Sequence, residues 1–271
     1  MQLAGARVIP SPSDITEHGR SLLEKDPTHH GSLGIGMGEA MDLVSQSPDK
    51  KLALGCMSYY AAMHQTVVGQ ELVRQLELAE SRPAALVGCV GGGTNLFGFA
   101  SPILRRKLAG EPTPRILAVE SANVPVFTRG RYEYDYADAF CFTPRVLMYT
   151  LGHQFVPPRI HAGGLRYHGK SAILSLMVHR GLVDAIAVHQ ETAFNAGRLF
   201  FRCEGILAAP ESCHAISAVI DLVHQAQREG REEDIVFCLS GNGYLDLAGY
   251  ADHFGLAGTV GGSSHGQHGS L

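Results

Sequence analysis

One continuous apolar run constrains the fold more than any other part of this sequence. Residues 84–90 carry no charged side chain, and the glycines Gly91, Gly92 and Gly93 follow at once. A strand that is apolar on both faces is typical of a parallel sheet covered by helices. The sequence therefore favours an α/β fold, with a glycine-rich turn directly after one of its buried strands.

Strand-like and helix-like segments alternate along the rest of the chain. Further strands are predicted at 7–9, 51–54, 115–119, 183–188 and 235–239, and helices at 11–25, 36–44, 63–80, 94–107, 171–179, 191–202, 211–228 and 245–254. This alternation predicts a mainly parallel sheet flanked by helices. Residues 121–168 look irregular, and a loop of that length is usually functional. We expect the Gly-, Ser- and His-rich tail, residues 258–271, to be disordered.

The composition argues against several classes of protein. The formal net charge is −4 and no basic run occurs, so a nucleic-acid partner is not expected. No uncharged apolar stretch approaches the ~20 residues of a membrane span, and the first residues lack the order of a signal peptide. The 6 cysteines form no CxxC pair and no HExxH motif occurs. We therefore expect a cytoplasmic protein without a metal site.

The turn after the apolar run has the features of an anion site. Its residues are Gly91, Gly92, Gly93, Thr94 and Asn95. Glycines let the backbone approach a bulky anion, and the next helix would point free N–H groups at it. A dinucleotide fits less well than a single phosphate, because Leu96 replaces the last glycine of GxGxxG, although Glu120 stands where a ribose-binding acid would. The alternative is a tight turn without a ligand.

Residues 164–171 match the phosphate-binding pattern GxxxxGK[ST], which ends here at Lys170 and Ser171. A true phosphate-binding loop of this type directly follows a strand. Here Pro157 and Pro158 precede it, and adjacent prolines argue against a central strand. The match therefore gives little support to ATP or GTP binding.

Two other loops carry polar residues at the ends of predicted elements. Glu204 ends one helix and Glu211 begins the next, so the pair would serve either as acid and base groups or as helix caps. Ser240 lies at a strand end beside glycines. Its hydroxyl would either contact the edge of a flat ligand or belong to an ordinary turn.

Taken together, these segments resemble the β chain of tryptophan synthase, closest to its second, α-independent type. The resemblance covers about residues 1–256. The segments that carry it occur in family order at 8–14, 27–35, 64–69, 88–95, 148–153, 156–158, 161–169, 204–215 and 239–243.

The resemblance implies a fold-type II enzyme dependent on pyridoxal 5′-phosphate (PLP), which converts L-serine and indole into L-tryptophan and water. It implies that residues 91–95 hold the cofactor phosphate and that Ser240 hydrogen-bonds the pyridine nitrogen. Glu204 would lie beside the cofactor ring, and Arg166 would belong to a loop that closes over the substrate. It further implies a homodimer and a monovalent cation.

The sequence departs from the family pattern at its front. The family's Schiff-base lysine lies on an upstream segment that has no match here, so the chain looks like an N-terminally truncated, C-terminal portion. Residues 1–58 then resemble the remnant of a mobile closing domain, and 59–257 the PLP-binding domain. Among the five lysines, Lys25, Lys50, Lys51, Lys107 and Lys170, only Lys170 lies near a candidate site. We expect weak PLP binding and little turnover by this chain alone.

Two other functions remain open from the sequence. One is a related PLP enzyme, such as a serine or threonine deaminase, because the glycine loop fits that chemistry too. The other is a non-catalytic partner or remnant, whose association with a complementing N-terminal fragment would complete a split enzyme.

Overall fold

The computed structural model describes residues 1–55 and 57–256. The strands within these ranges are β1 (Ala85–Cys89), β2 (Arg115–Ser121), β3 (Arg131–Asp135), β4 (Val146–Thr150), β5 (Asp184–Val188) and β6 (Ile235–Phe237). Four of them form a parallel sheet in the order β5-β2-β1-β6, and β3 pairs with β4 in a separate antiparallel hairpin. The prediction of a mainly parallel sheet is confirmed.

Helices cover the sheet and connect its strands. They are α1 (Glu17–Lys25), α2 (Leu33–Ser45), α3 (Tyr59–Leu78), α4 (Thr94–Leu108), α5 (Val126–Arg129), α6 (Ala172–His179), α7 (Gln190–Glu204), α8 (Pro210–Arg228) and α9 (Leu247–His253). Thr16, Ser32 and Ser58 each cap the first turn of a helix by accepting a backbone N–H bond, which satisfies a donor that the helix itself leaves free. None of the helices in the described residues has the length and hydropathy needed to cross a membrane.

The central strand β1 separates two apolar clusters. Leu86 and Val87 are neighbours in β1, point to opposite faces and are both 0% exposed. Val87 packs with residues of α7 and α8, whereas Leu86 packs with residues of α3 and α4. Each such side chain contributes on the order of 1.5–3 kcal/mol when fully buried. The apolar run 84–90 thus forms a strand buried on both faces, as the sequence predicts.

The N-terminal part differs from the prediction. Residues 7–9 and 51–54 form no strand, and the first helix begins at Glu17 rather than at Ser11. The hydroxyl of Ser11 donates instead to the buried carboxylate of Glu39, as do those of Ser13 at 2.7 Å and Thr16 at 2.6 Å. This long-range contact holds residues 11–16 in turns, so the local capping signal at Ser11 is overridden.

The segment 121–168 is more ordered than its composition indicates. It contains the short helix α5 and the hairpin of β3 and β4, in which Glu133 pairs with Met148. The expectation of a wholly irregular loop is therefore wrong. The expectation for the tail at 258–271 concerns residues outside the described part of the chain.

Candidate functional site

The two glycine-bearing loops meet at one edge of the main sheet. Strands β1 and β6 are parallel neighbours with Val87 opposite Phe237, so their carboxyl ends lie side by side. Beyond them, the Cys89 Sγ atom lies 3.3 Å from the Ser240 Oγ atom. Asn95, in the first turn of α4, donates from Nδ2 to the Cys89 carbonyl oxygen at 2.9 Å. Loops that are far apart in the sequence thus lie side by side.

The first turn of α4 has the properties of an anion-binding site. Gly93 is its N-cap residue, with φ of 101°, and no side chain caps the turn. The N–H groups of that turn have no partner within the helix and carry the positive end of its dipole. Burial raises the pKa of the nearby Cys89 thiol to about 11, so this thiol stays neutral near pH 7. It adds no negative charge that would repel an anion.

Ser240 presents a neutral hydroxyl beside this turn. The residue is exposed, and its Oγ atom lies 2.9 Å from the Oγ atom of Ser212, which is fully buried at the start of α8. Ser212 also accepts a hydrogen bond from the Gly241 N–H at 3.1 Å. These contacts position the Ser240 hydroxyl while leaving it accessible to a polar atom of a ligand.

A buried ion pair lies behind the glycine loop. Lys170 Nζ donates to the Val90 carbonyl oxygen at 2.9 Å and lies 3.5 Å from Glu120 Oε2, with both side chains 1% exposed. The next residue, Ser171, donates its N–H to the Gly92 carbonyl oxygen at 2.7 Å. Burial lowers the pKa of Lys170, and the charge of Glu120 partly opposes that shift. Lys170 and Ser171 together thus anchor the backbone on the two sides of Gly91.

This pair changes the interpretation of two sequence signals. Glu120 accepts hydrogen bonds from the Phe127 N–H and from the N–H and hydroxyl of Thr128, so its carboxylate is occupied within the protein rather than exposed to a ribose. The Lys170 amine is likewise committed to Val90 and Glu120, so it is not placed to act as a nucleophile. The lysine of the GxxxxGK[ST] pattern therefore makes structural contacts within the protein rather than contacts to a nucleotide phosphate.

The loop that carries Arg166 packs against the glycine loop through its backbone. A Cβ atom at Gly91 would collide with the carbonyl oxygen of Gly164, so only glycine fits at position 91. The Gly164 N–H donates to Glu211 Oε1 at 2.7 Å. The contacts of Arg166 lie elsewhere: its guanidinium donates to the carbonyl oxygens of Pro157 at 3.1 Å and Pro158 at 3.0 Å.

Glu204 is the predicted site residue at the C-terminal end of a helix. It is exposed at the end of α7, followed by Gly205 with φ of 69°. The segment after it runs beside the Ser240 loop, because the Gly243 N–H donates to the Leu207 carbonyl oxygen at 2.8 Å. No group of three or more potential metal ligands occurs in the described ranges.

Sequence reasoning missed two residues that contact Ser240, namely Cys89 and Ser212. A signal for Cys89 exists, since it is the last residue of β1 and comes directly before the glycine turn. Ser212 lies in the first turn of α8, where a small hydroxyl residue can approach an adjoining strand end. The pairing with β6 that brings both to Ser240 is a long-range contact which no local pattern encodes.

Comparison with known proteins fits this geometry. Residues 1–241 match the family model described as pyridoxal-phosphate dependent enzyme. The chain belongs to this family. A fungal L-serine ammonia-lyase from Rhizomucor miehei has a similar fold, with a TM-score of 0.60 at 19% identity, covering 89% of this chain and 71% of that one. The predicted fold-type II architecture is confirmed.

Curated relatives are more similar in sequence. Tryptophan synthase beta chain 2 of Thermococcus kodakarensis is 49% identical over 253 residues, which cover 93% of this chain and 57% of that protein. The protein of the same name from Methanothermobacter thermautotrophicus is 47% identical, covering 93% of this chain and 59% of that protein. The chain thus spans somewhat more than half the length of these relatives.

Proposed function

We propose that residues 91–95 bind the phosphate of PLP and that this chain is the cofactor-holding part of a tryptophan synthase β-type enzyme. Such an enzyme replaces the hydroxyl of L-serine with indole, giving L-tryptophan and water. The observation that carries the proposal is the meeting of the uncapped α4 N-terminus with the Ser240 hydroxyl, 3.3 Å from Cys89. The names of the relatives and the order of the matching segments support the choice of reaction.

The residues present fit the cofactor. The free N–H groups at the start of α4 suit a dianionic phosphate, and the close approach at Gly91 leaves no side chain to obstruct the turn. Ser240 suits a pyridine nitrogen, because a neutral hydroxyl binds it without requiring a charged ring. When bound, PLP supplies an electron sink for carbanion chemistry. A ring that is not forced to be protonated is a moderated sink, which suits elimination and replacement.

Two further residues receive roles through the family resemblance. We assign Glu204 to the face of the cofactor ring, as the acid or base group, since the segment that follows it runs beside residues 241–243. We assign Arg166 to a loop that closes over the substrate. Its guanidinium lies 3.5 Å from the Gly31 carbonyl oxygen, so closure would involve the N-terminal region as well.

The amine that bonds the cofactor in this family is assigned to polypeptide outside residues 1–271. Lys25, Lys50 and Lys51 are exposed, and Lys107 Nζ donates to the Leu182 carbonyl oxygen at 2.9 Å. Lys170 is committed to its buried ion pair. We therefore propose that this lysine is supplied either by an upstream segment of a longer parent protein or by a complementing N-terminal fragment. The resemblance extends the proposal to a homodimer, a monovalent cation and a cytoplasmic location.

Complementation tests this proposal. The purified chain is mixed with PLP, L-serine and indole, with and without a fragment comprising the part of the Thermococcus kodakarensis relative that this chain does not match. We expect little L-tryptophan from the chain alone, and sustained synthesis when the fragment is added. Synthesis by the chain alone at the rate of the complete relative would contradict the assignment of the lysine.

The same assay separates the alternatives by their products. Pyruvate and ammonia from L-serine, without L-tryptophan when indole is present, would assign the chain to a deaminase. Association with the fragment without any turnover would favour a non-catalytic partner.

A Ser240→Ala variant of the complemented enzyme is expected to lower L-tryptophan formation. The matched control is Cys203→Ala, at an exposed position of α7.

A further inference from the structure

A cysteine, a histidine and an aspartate form a linked cluster at one end of the β3–β4 hairpin. The Cys141 Sγ atom lies 3.7 Å from His153 Nε2. His153 Nδ1 lies 2.6 Å from Asp135 Oδ1. Thiol, imidazole and carboxylate thus follow one another in the order that activates a nucleophilic cysteine.

The carboxylate is fixed in place. Asp135 Oδ2 accepts a hydrogen bond from the Thr150 hydroxyl at 2.6 Å, and Oδ1 accepts one from the Tyr136 N–H at 2.8 Å. Because ionised Asp135 only accepts hydrogen bonds, the proton of neutral His153 lies on Nδ1. The lone pair of Nε2 then faces the thiol, as a general base requires.

The thiol is held by the turn that carries it. Cys141 is exposed and has φ of 65°, the left-handed region that non-glycine residues seldom adopt. The buried carboxylate of Asp138 stabilises this turn by accepting the N–H groups of Phe140 at 2.9 Å, Phe142 at 3.1 Å and Thr143 at 2.8 Å. The structure therefore maintains the thiol at the surface and beside the imidazole.

The surrounding charges determine how the thiol can be activated. Burial and the carboxylates of Asp138 and Asp135 raise the pKa of the Cys141 thiol, so a free thiolate is disfavoured. Two other histidines lie near these groups. Burial lowers the pKa of His168, and the ring of His18 packs on Phe140 and Phe142, on either side of Cys141. Activation therefore requires transfer of the thiol proton to His153.

We propose that Cys141 is a site of thiol–disulfide exchange with low-molecular-weight disulfides. His153 Nε2 takes the proton from Sγ, and the sulfur attacks one sulfur atom of the disulfide. The new S–S bond joins Cys141 to half of the reagent as the old S–S bond breaks, and the departing thiolate takes the proton from His153. The disulfide is the oxidant, so no other co-reactant is needed. Asp135 acts as a positioning residue for His153.

This cluster is separate from the proposed cofactor site. None of its three residues hydrogen-bonds to residues 89–95 or to Ser240 within the part of the chain described. The inference therefore does not depend on PLP binding, and its test does not require catalytic activity.

The test compares two exposed cysteines in one molecule. The full chain is treated with bis(2-hydroxyethyl) disulfide at pH 7, and mass spectrometry of its peptides follows the adducts at Cys141 and Cys203. Cys203 is exposed on α7, and its thiol makes no hydrogen bond within residues 1–55 and 57–256. We expect Cys141 to react at least about tenfold faster, since general-base assistance contributes on the order of 10²-fold or more.

The variant His153→Gln removes the base while keeping a polar side chain. The rate at Cys141 should fall about tenfold or more, and the rate at Cys203 should not change, which also reports that the fold is intact. Equal rates at the two cysteines of the native chain, or a Cys141 rate unaffected by His153→Gln, would overturn the proposal.

The pH dependence of the native chain gives a second test that needs no variant. An unassisted thiol reacts about tenfold faster for each unit of pH, because only its thiolate fraction attacks. We expect that slope at Cys203. At Cys141, where His153 Nε2 lies 3.7 Å from the sulfur and takes its proton, the rate should rise less steeply with pH. A Cys141 profile parallel to that of Cys203 would contradict the mechanism.

Discussion

Two carboxylates in this molecule are built alike but differ in their contact with water. Glu120 accepts two backbone N–H bonds and Asp135 accepts one, and each also accepts a threonine hydroxyl. Each has one basic partner. The Glu120–Lys170 pair is 1% exposed on both sides, whereas Asp135 is 8% and His153 25% exposed. The first pair is closed within the core, and the second opens toward the surface at Cys141.

The difference shows how burial decides what an ion pair does. Without water, Lys170 and Glu120 depend on each other for charge compensation, so they act as a clamp on the backbone behind the glycine loop. The Asp135–His153 pair is partly exposed, so solvent and a reagent can reach the imidazole. The cluster of Cys141, His153 and Asp135 is therefore open to proton transfer, whereas the Lys170–Glu120 pair serves only to fix the backbone.

Removing one member of the closed pair should have the largest effect. Lys170→Met keeps the length of the side chain but leaves the buried Glu120 carboxylate without its cation. We expect the free energy of unfolding, measured by urea denaturation, to fall by about 3–5 kcal/mol.

A double variant checks the cause of that loss. Lys170→Met combined with Glu120→Gln removes both charges, and we expect it to recover most of the stability. A loss below about 1 kcal/mol in the single variant would mean that the pair is not a clamp.

The open cluster should show an intermediate, pH-dependent effect. Burial alone would raise the pKa of Asp135, but hydrogen bonds from Thr150 and His153 outweigh it and hold the pKa below the ordinary 3.8. Because the folded-state pKa is the lower one, the stabilisation is complete above the unfolded value and is lost as the pH falls through the folded value. Asp135→Asn should cost about 1.5–3 kcal/mol at pH 7.

Acid unfolding provides the corresponding measurement. The difference in unfolding free energy between the native chain and Asp135→Asn should shrink as the pH drops below about 3.8, the reference value for this group. A difference that stays constant from pH 7 to pH 3 would show that the carboxylate charge contributes nothing.

The smallest effect on stability is expected from His153→Gln. The imidazole is partly exposed, and such pairs contribute at most about 1 kcal/mol. Its loss should therefore change reactivity at Cys141 rather than the midpoint of urea unfolding. If His153→Gln lowered the free energy of unfolding as much as Lys170→Met does, the buried Lys170–Glu120 pair and the partly exposed Asp135–His153 pair would not differ as described.

The sequence predicts the parts of this molecule that local patterns encode. The apolar run 84–90 and the glycine turn after it identify β1 and the start of α4, because burial on both faces and glycine spacing are local properties. The family resemblance predicts that Ser240 belongs to the same site, and in the structure its hydroxyl lies 3.3 Å from the Cys89 sulfur.

The remaining differences arise from contacts between distant residues. Residues 11–16 begin no helix because Glu39 binds their hydroxyls. Lys170, the lysine of the GxxxxGK[ST] pattern, forms an ion pair with Glu120, which lies 50 residues earlier in the chain. Cys141 has no local motif at all, because its partner histidine lies across a hairpin that the composition of the segment conceals.

Binding of pyridoxine 5′-phosphate tests the central claim most directly, because this analogue lacks the aldehyde and cannot react with surface lysines. Equilibrium dialysis compares the native chain with Asn95→Asp, which places a carboxylate in the first turn of α4, and with Gln190→Glu, which adds the same charge to the first turn of α7. We predict binding that requires the phosphate, at least about tenfold weaker in Asn95→Asp and unchanged in Gln190→Glu. Equal binding by all three proteins, or equal binding of pyridoxine without its phosphate, would contradict the account.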